Sequence, residues 1–233
     1  MVMKKQLTQD GVKTILMPFG WKAVFYLCFF LAASRLDIPR AWLLLGIDYL
    51  GVIVVSVIFW KLAPELANQR ASIKEGTKPW DKIFLAFYFT ISLIAFPIVA
   101  GLDVGRYHWS ELHINYAIVG VILFALCVAF GSWAIVVNRF FETSVRIQTD
   151  RGHEVITGGP YRFVRHPGYL SIILGALSAS FIVGSLYSLI PGGLGIIAVV
   201  VRTYLEDRTL HEELDGYREY ASGVRWRLVP GIW

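Results

Sequence analysis

Apolar residues fill five long stretches of this chain, at 15–34, 41–62, 82–102, 113–137 and 169–203, and polar residues gather between them. The first four are each close to the ~20 residues a helix needs to cross a bilayer. The fifth is too long for one crossing. It is interrupted at Ser185–Tyr187 and again at Pro191-Gly192-Gly193, which predicts a helical hairpin with arms at about 169–183 and 186–203. The pattern predicts an all-α, polytopic integral membrane protein of five to six spanning helices. An N-terminal block over 1–137 would hold four spans, and a second block over 138–233 would hold the hairpin and two polar segments. The basic start (Lys4, Lys5, Lys13) and Ala32-Ala33-Ser34 have the outline of a signal peptide. The apolar run is nearly twenty residues long and rich in aromatics, against 7–15 residues in a cleaved signal, so a retained first span is expected.

Charge sets an orientation. Only 17% of the residues are charged, against about a quarter in soluble domains. Of the 22 lysines and arginines, Arg35, Arg40 and Arg106 fall in the loops after spans one and three, and Lys22 lies inside the first span. The rest fall at the N-terminus, in 61–82, in 139–165 and in 202–227. The positive-inside rule places those segments in the cytoplasm, giving six crossings with both termini and the second polar block inside. The net charge of +5 then reflects topology and attraction to anionic headgroups. The partners expected are the lipid bilayer and a lipophilic or lipidated substrate; the scattered basic residues do not form a nucleic-acid surface. Cys28 and Cys127 lie in separate spans without metal-ligand spacing and read as packing residues. In "KLAPELANQRASIKEGTKPWD", residues 61–81, the composition predicts a short helix at the membrane surface, ended by Gly76 and Pro79.

Candidate chemistry concentrates in "TGGPYRFVRHPGYLS", residues 157–171. Proline suits the first turn of a helix and pushes its predecessor to extended geometry, so a helix should begin at Pro167. Its free N–H groups at Gly168–Leu170 could receive an anion, with Arg165 and His166 alongside. The alternative is a stop-and-turn whose basic residues meet lipid phosphates. The second polar block opens with Arg202 and Glu206, four apart on a helix leaving the membrane. That order is the less favourable one for an i,i+4 pair, so Arg202 either snorkels to the interface or lines a polar cavity. Arg208/Glu212 and Asp207/His211 have the same spacing and read as ordinary pairs. Converging at one membrane face, these groups could hold a zwitterionic, aromatic-bearing small molecule. Arg and N–H groups would take its carboxylate, Glu its ammonium and tyrosines its ring. No two histidines share a helix face, so no metal site is expected. No G-x-S-x-G turn is present either. Asp48, within the second span near its outer end, reads as a structural residue reaching water or Tyr49, with a functional role as the alternative.

"NRFFETSVRIQTDRGHEVITGGPYRFVRHPGYLS", followed after the hairpin by "RTYLEDRTLHEELDGYREYASGVRWRLVPGIW", resembles the isoprenylcysteine carboxyl methyltransferase family of integral membrane enzymes. The likeness runs over about 138–233, and residues 61–81 resemble the family's prokaryotic branch. It implies S-adenosylmethionine as methyl donor in a cytoplasm-facing pocket, with a second opening toward the bilayer for the acceptor. It further implies that His153, Gly159, Tyr161, Arg165, His166 and Tyr169 contact the cofactor, with Tyr217 and Tyr220 around the adenine. Glu206 would touch the cofactor and Arg202 would lie near the acceptor, the two forming the catalytic pair. The chain departs from the family's paired glutamates at Asp207, which puts in doubt any role that needs the longer side chain. The alternatives are a sterol-reductase-like oxidoreductase using a nicotinamide cofactor, and a non-enzymatic transporter or scaffold. The acceptor, whether a prenylcysteine carboxylate, a phospholipid or a thiol, is not distinguished.

Overall fold

The computed structural model describes residues 6–233; the basic residues Lys4 and Lys5 lie outside them. Every element is helical: α1 (Gln9–Ala33), α2 (Pro39–Lys61), α3 (Pro64–Arg70), α4 (Pro79–Thr90), α5 (Phe96–Gly101), α6 (Asn115–Val137), α7 (Pro167–Val183), α8 (Leu189–Glu213) and α9 (Tyr217–Gly223). Two π-helical segments, Ile91–Ala95 and Leu102–Tyr107, make α4 and α5 parts of one continuous span, Pro79–Tyr107. Five helices are long and apolar enough to cross a membrane: α1, α2, the 79–107 span, α6 and α8. α7 is apolar but has only 17 residues. This is an integral membrane protein.

Helix boundaries follow local chemistry. Thr8 caps α1 by accepting from the Gly11 N–H, and prolines stand in the first turns of α2, α3, α4 and α7. The hairpin turn falls at Gly184–Ser188, but the second predicted interruption does not occur: Pro191-Gly192-Gly193 lies inside the first turn of α8. A proline there removes an N–H that has no helical partner anyway. In 61–81 the short helix ends earlier than expected, at Arg70. Gly76 turns the chain with φ +79° and Pro79 starts the next helix.

Without water to drive helix association inside lipid, close backbone approach has to supply the contact. α6 and α7 pack along each other as principal neighbours. At Gly120 a Cβ would come within 2.8 Å of the Ile182 N and 3.0 Å of the Ser178 O. Near the turn between α7 and α8, α1, α2 and α5 enclose a core of Phe25, Phe29, Leu44, Phe96 and Ile182. Asp48, inside α2, is buried and accepts from Lys22 Nζ (2.6 Å) and Tyr26 Oη (2.7 Å). Tyr49 is not its partner as expected; Tyr49 donates to the Phe19 carbonyl.

Candidate active site

The alternation of spans brings the C-terminal ends of α2, α6 and α8 and the N-terminal ends of α4 and α7 to one end of the bundle. A cavity of about 230 Å³ opens there. Its walls come from α3, α4, the 138–156 segment, the start of α7, the end of α8 and α9. The 157–166 turn and the chain after α9 close on each other: Arg165 N–H donates to the Trp226 carbonyl and His166 N–H to the Arg227 carbonyl, both at 2.9 Å.

Asp207 is the centre of this closure. It is 1% exposed. It receives a two-pronged contact from Arg165 (2.8 and 3.0 Å), a hydrogen bond from Tyr217 Oη (2.9 Å) and one from Arg227 Nε (2.8 Å), with His166 Nε2 at 3.2 Å. A buried carboxylate is tolerated only when paired and hydrogen-bonded, and here both oxygens are saturated. The expected i,i+4 pair with His211 is present but peripheral: His211 Nδ1 lies 3.7 Å from the carboxylate and its ring bonds the Asp207 carbonyl. The shorter acid at this position therefore loses nothing, because its partners close in on it. Burial opposes the Arg165 charge, but Asp207 prevails and holds its pKa above the ordinary value.

Arg202 does line the cavity, yet its partner is not Glu206. It bonds Asp81, at the start of α4, through Nε (2.6 Å) and Nη2 (3.2 Å), and donates to the Thr143 carbonyl (2.7 Å). Asp81 is 0% exposed and also accepts from the Val145 N–H (2.8 Å). One carboxylate thus fixes both the arginine and the 138–156 segment. The Arg202 guanidinium lies over the Tyr169 ring, 5.2 Å from its centre, and Tyr169 donates its hydroxyl to Glu206.

The remaining expected residues distribute unevenly. His153, Tyr161, Arg165, His166, Tyr169, Glu206, Tyr217 and Tyr220 line the cavity; Gly159 does not. Gly159 has φ +57° and would drive a Cβ to 2.8 Å from Val137 and 2.9 Å from Trp133, so it shapes the turn from behind. Tyr220 donates to the Tyr161 carbonyl (2.6 Å), and the Tyr161 hydroxyl accepts from Asn138 (2.9 Å). Burial raises the pKa of Tyr161, Tyr217 and Tyr220, keeping all three as neutral donors. His153 packs against Phe140 with the rings tilted by 41° and accepts from the Gln148 N–H. Burial, with Arg146 and Arg151 nearby, lowers its pKa to about 4.

The start of α7 departs from its expected role as an anion site. The N–H groups of Tyr169 and Leu170 already donate to the His166 carbonyl. A Cβ at Gly168 would strike the Phe141 ring at 2.2 Å, so an aromatic face covers the helix end.

Sequence reasoning passed over three groups on the cavity wall. Arg70 ends α3 and is half-buried on the cavity wall, where burial and the nearby Arg202 lower its pKa to about 10. Glu142 holds Arg146 (2.9 Å) and approaches Arg151 (3.4 Å). The third is an apolar wall of Phe84, Leu85, Tyr88 and Phe89 from α4, facing Ile172, Ala198 and Val199. A mixed lining of this kind, with aromatic rings, a few fixed charges and one apolar side, suits a ligand with a polar half and a greasy half.

Residues 118–213 match the family model described as the isoprenylcysteine carboxyl methyltransferase (ICMT) family. No curated protein matches the chain.

Proposed function

We propose, from the match of residues 118–213 to the isoprenylcysteine carboxyl methyltransferase family model, that the chain is a membrane methyltransferase using S-adenosylmethionine on a lipophilic acceptor. The observation that carries this reading is the single cavity joining the Arg165-His166 turn to the Arg202–Glu206 helix. The residues present suit the donor: neutral tyrosines for an aromatic base, a carboxylate at Glu206 for positive charge, and a buried guanidinium for a carboxylate. When bound, the donor would supply an electrophilic methyl on a sulfonium: an acceptor lone pair would bond to that carbon as the carbon–sulfur bond breaks and the neutral thioether leaves.

The protein's own part is positioning, which can be worth ~7–11 kcal/mol in a displacement between two bound partners. Asp207 holds the Arg165-His166 turn rigid. Asp81 holds Arg202, leaving its Nη1 without a hydrogen-bond partner among the described residues. That atom would orient an acceptor carboxylate, which is already ionised at neutral pH and needs no base. The apolar wall between α4 and α8 would receive the acceptor's hydrophobic part. With the basic segments inside, the cavity faces the cytoplasm.

Titration calorimetry in detergent with S-adenosylhomocysteine tests the donor; no saturable binding would remove the reading. Radiolabelled methyl transfer into a total lipid and peptide extract, with product identification, tests the acceptor.

A further inference from the structure

Charge accounting around the cavity leaves two groups over. Arg165 is matched by Asp207, Arg202 by Asp81, Arg146 by Glu142 and Asp150, and Glu154 by Arg139. Arg70 and Glu206 have no ion-pair partner within 4.0 Å among the described residues. Glu206 receives only the Tyr169 hydroxyl. Arg70 donates through one nitrogen to the Phe141 carbonyl, and its guanidinium is clasped between the Phe59 and Phe141 rings, 5.7 and 5.1 Å from their centres. Its other N–H groups have no acceptor among the described residues, and Arg70 lines the cavity.

A half-buried guanidinium without an ion-pair partner is costly, and aromatic faces offset only about 2 kcal/mol of it. Arg202 is near enough to repel it, and Glu142, which attracts it, is already engaged by Arg146 and Arg151. An anion in the cavity would relieve both costs, and Glu206 asks for a cation in the same space. Tyr161 neighbours both charges. One unmatched cation and one unmatched anion on a shared wall match a ligand bearing an ammonium and a carboxylate on one carbon.

Building on the donor proposed above, we infer that Arg70 binds the α-carboxylate of the donor's amino-acid portion while Glu206 faces its positive charge. Arg70 lies on α3, outside residues 118–213, so the site is completed by a helix from the N-terminal half. The fixed, planar fork of arginine suits two-pronged carboxylate recognition.

The test is calorimetry on the full chain in detergent with S-adenosylhomocysteine and with its decarboxylated analogue, for the wild type, Arg70→Gln and Arg70→Lys. Arg70→Gln should weaken S-adenosylhomocysteine at least tenfold, about 1.4 kcal/mol, and leave the analogue within twofold. Arg70→Lys should recover part of the loss. Equal weakening of both ligands would mean that Arg70 only braces α3 against Phe141, and unchanged affinity for both would place the carboxylate elsewhere. Either result overturns the inference while leaving the methyltransferase reading intact. A wild type that binds neither ligand would overturn the donor assignment itself.

Discussion

The two ends of the bundle both bury carboxylates, and they satisfy them differently. At the end opposite the cavity, Asp103 is 0% exposed. It accepts from the Ser110 N–H (2.7 Å), the hydroxyls of Ser110 and Ser185 (both 2.6 Å) and the Tyr187 N–H (3.3 Å). Beside it Arg40 donates to the carbonyls of Phe181, Ile182 and Leu112, closing the end of α7. All these partners are neutral and local to the turns they tie together. At the cavity end, Asp81 and Asp207 are held by arginines instead, and Arg70 and Glu206 have no ion-pair partner within 4.0 Å among the described residues. A region that only has to stay folded closes its accounts with hydroxyls and peptide groups. A region that receives a charged ligand keeps charges in reserve.

Removing the best-connected group should break this contrast most visibly. Asp207→Asn leaves Arg165 and Arg227 facing each other without their anion. Breaking a buried pair in this way costs about 3–5 kcal/mol. Thermal unfolding in detergent should fall accordingly, and S-adenosylhomocysteine binding should disappear. Next in size is the Asp81–Arg202 pair. Arg202→Met should lower turnover at least ~100-fold, about 2.7 kcal/mol of barrier, while donor affinity stays within a few-fold. In a double-mutant cycle with Asp81→Asn the stability losses should be strongly non-additive; additive losses would mean the two do not act as a unit.

A smaller effect belongs to the opposite end. Asp103→Asn should cost about 1–3 kcal/mol of stability, the range for a buried hydrogen-bonded acceptor left mismatched. Donor affinity and turnover of the folded fraction should not change. Reduced donor binding there would erase the distinction between the two ends. The smallest effect is acid-dependent. His153 has its folded pKa lowered to about 4 from an ordinary 6.5, so its contribution is complete above pH 6.5 and is lost as pH falls toward 4. His153→Phe should flatten that part of the stability profile by about 1 kcal/mol, given the partial exposure of the ring.

The sequence made the spans, the hairpin and the convergence of two polar blocks readable, because hydrophobic run length is a direct physical requirement of the bilayer. It also made Arg202, Glu206 and the 161–169 turn stand out as polar groups against apolar neighbours. What it hid were partners distant along the chain. Spacing arguments within a helix see only residues three or four apart. They could exclude Glu206 as a good partner for Arg202 and offer His211 to Asp207, but not find the closest partners, Asp81, 121 residues away, and Arg165, 42 away. Arg70 looked like an ordinary polar residue of a surface helix. The usable signal was an aspartate, Asp81, entering an apolar run directly after Pro79-Trp80, a costly place for an unpaired acid.

The way Asp207 is held has a bearing on biogenesis. Its arginine partners stand on both sides of it in the chain, Arg165 before the hairpin and Arg227 after it. A ribosome therefore releases Arg165 long before its counter-ion exists, and α7 and α8 must both be lodged in lipid before the acid can be caught from either flank. The cavity is accordingly among the last parts of the protein to mature, so lesions that delay insertion of α8 should yield membrane-embedded chains in which it never forms.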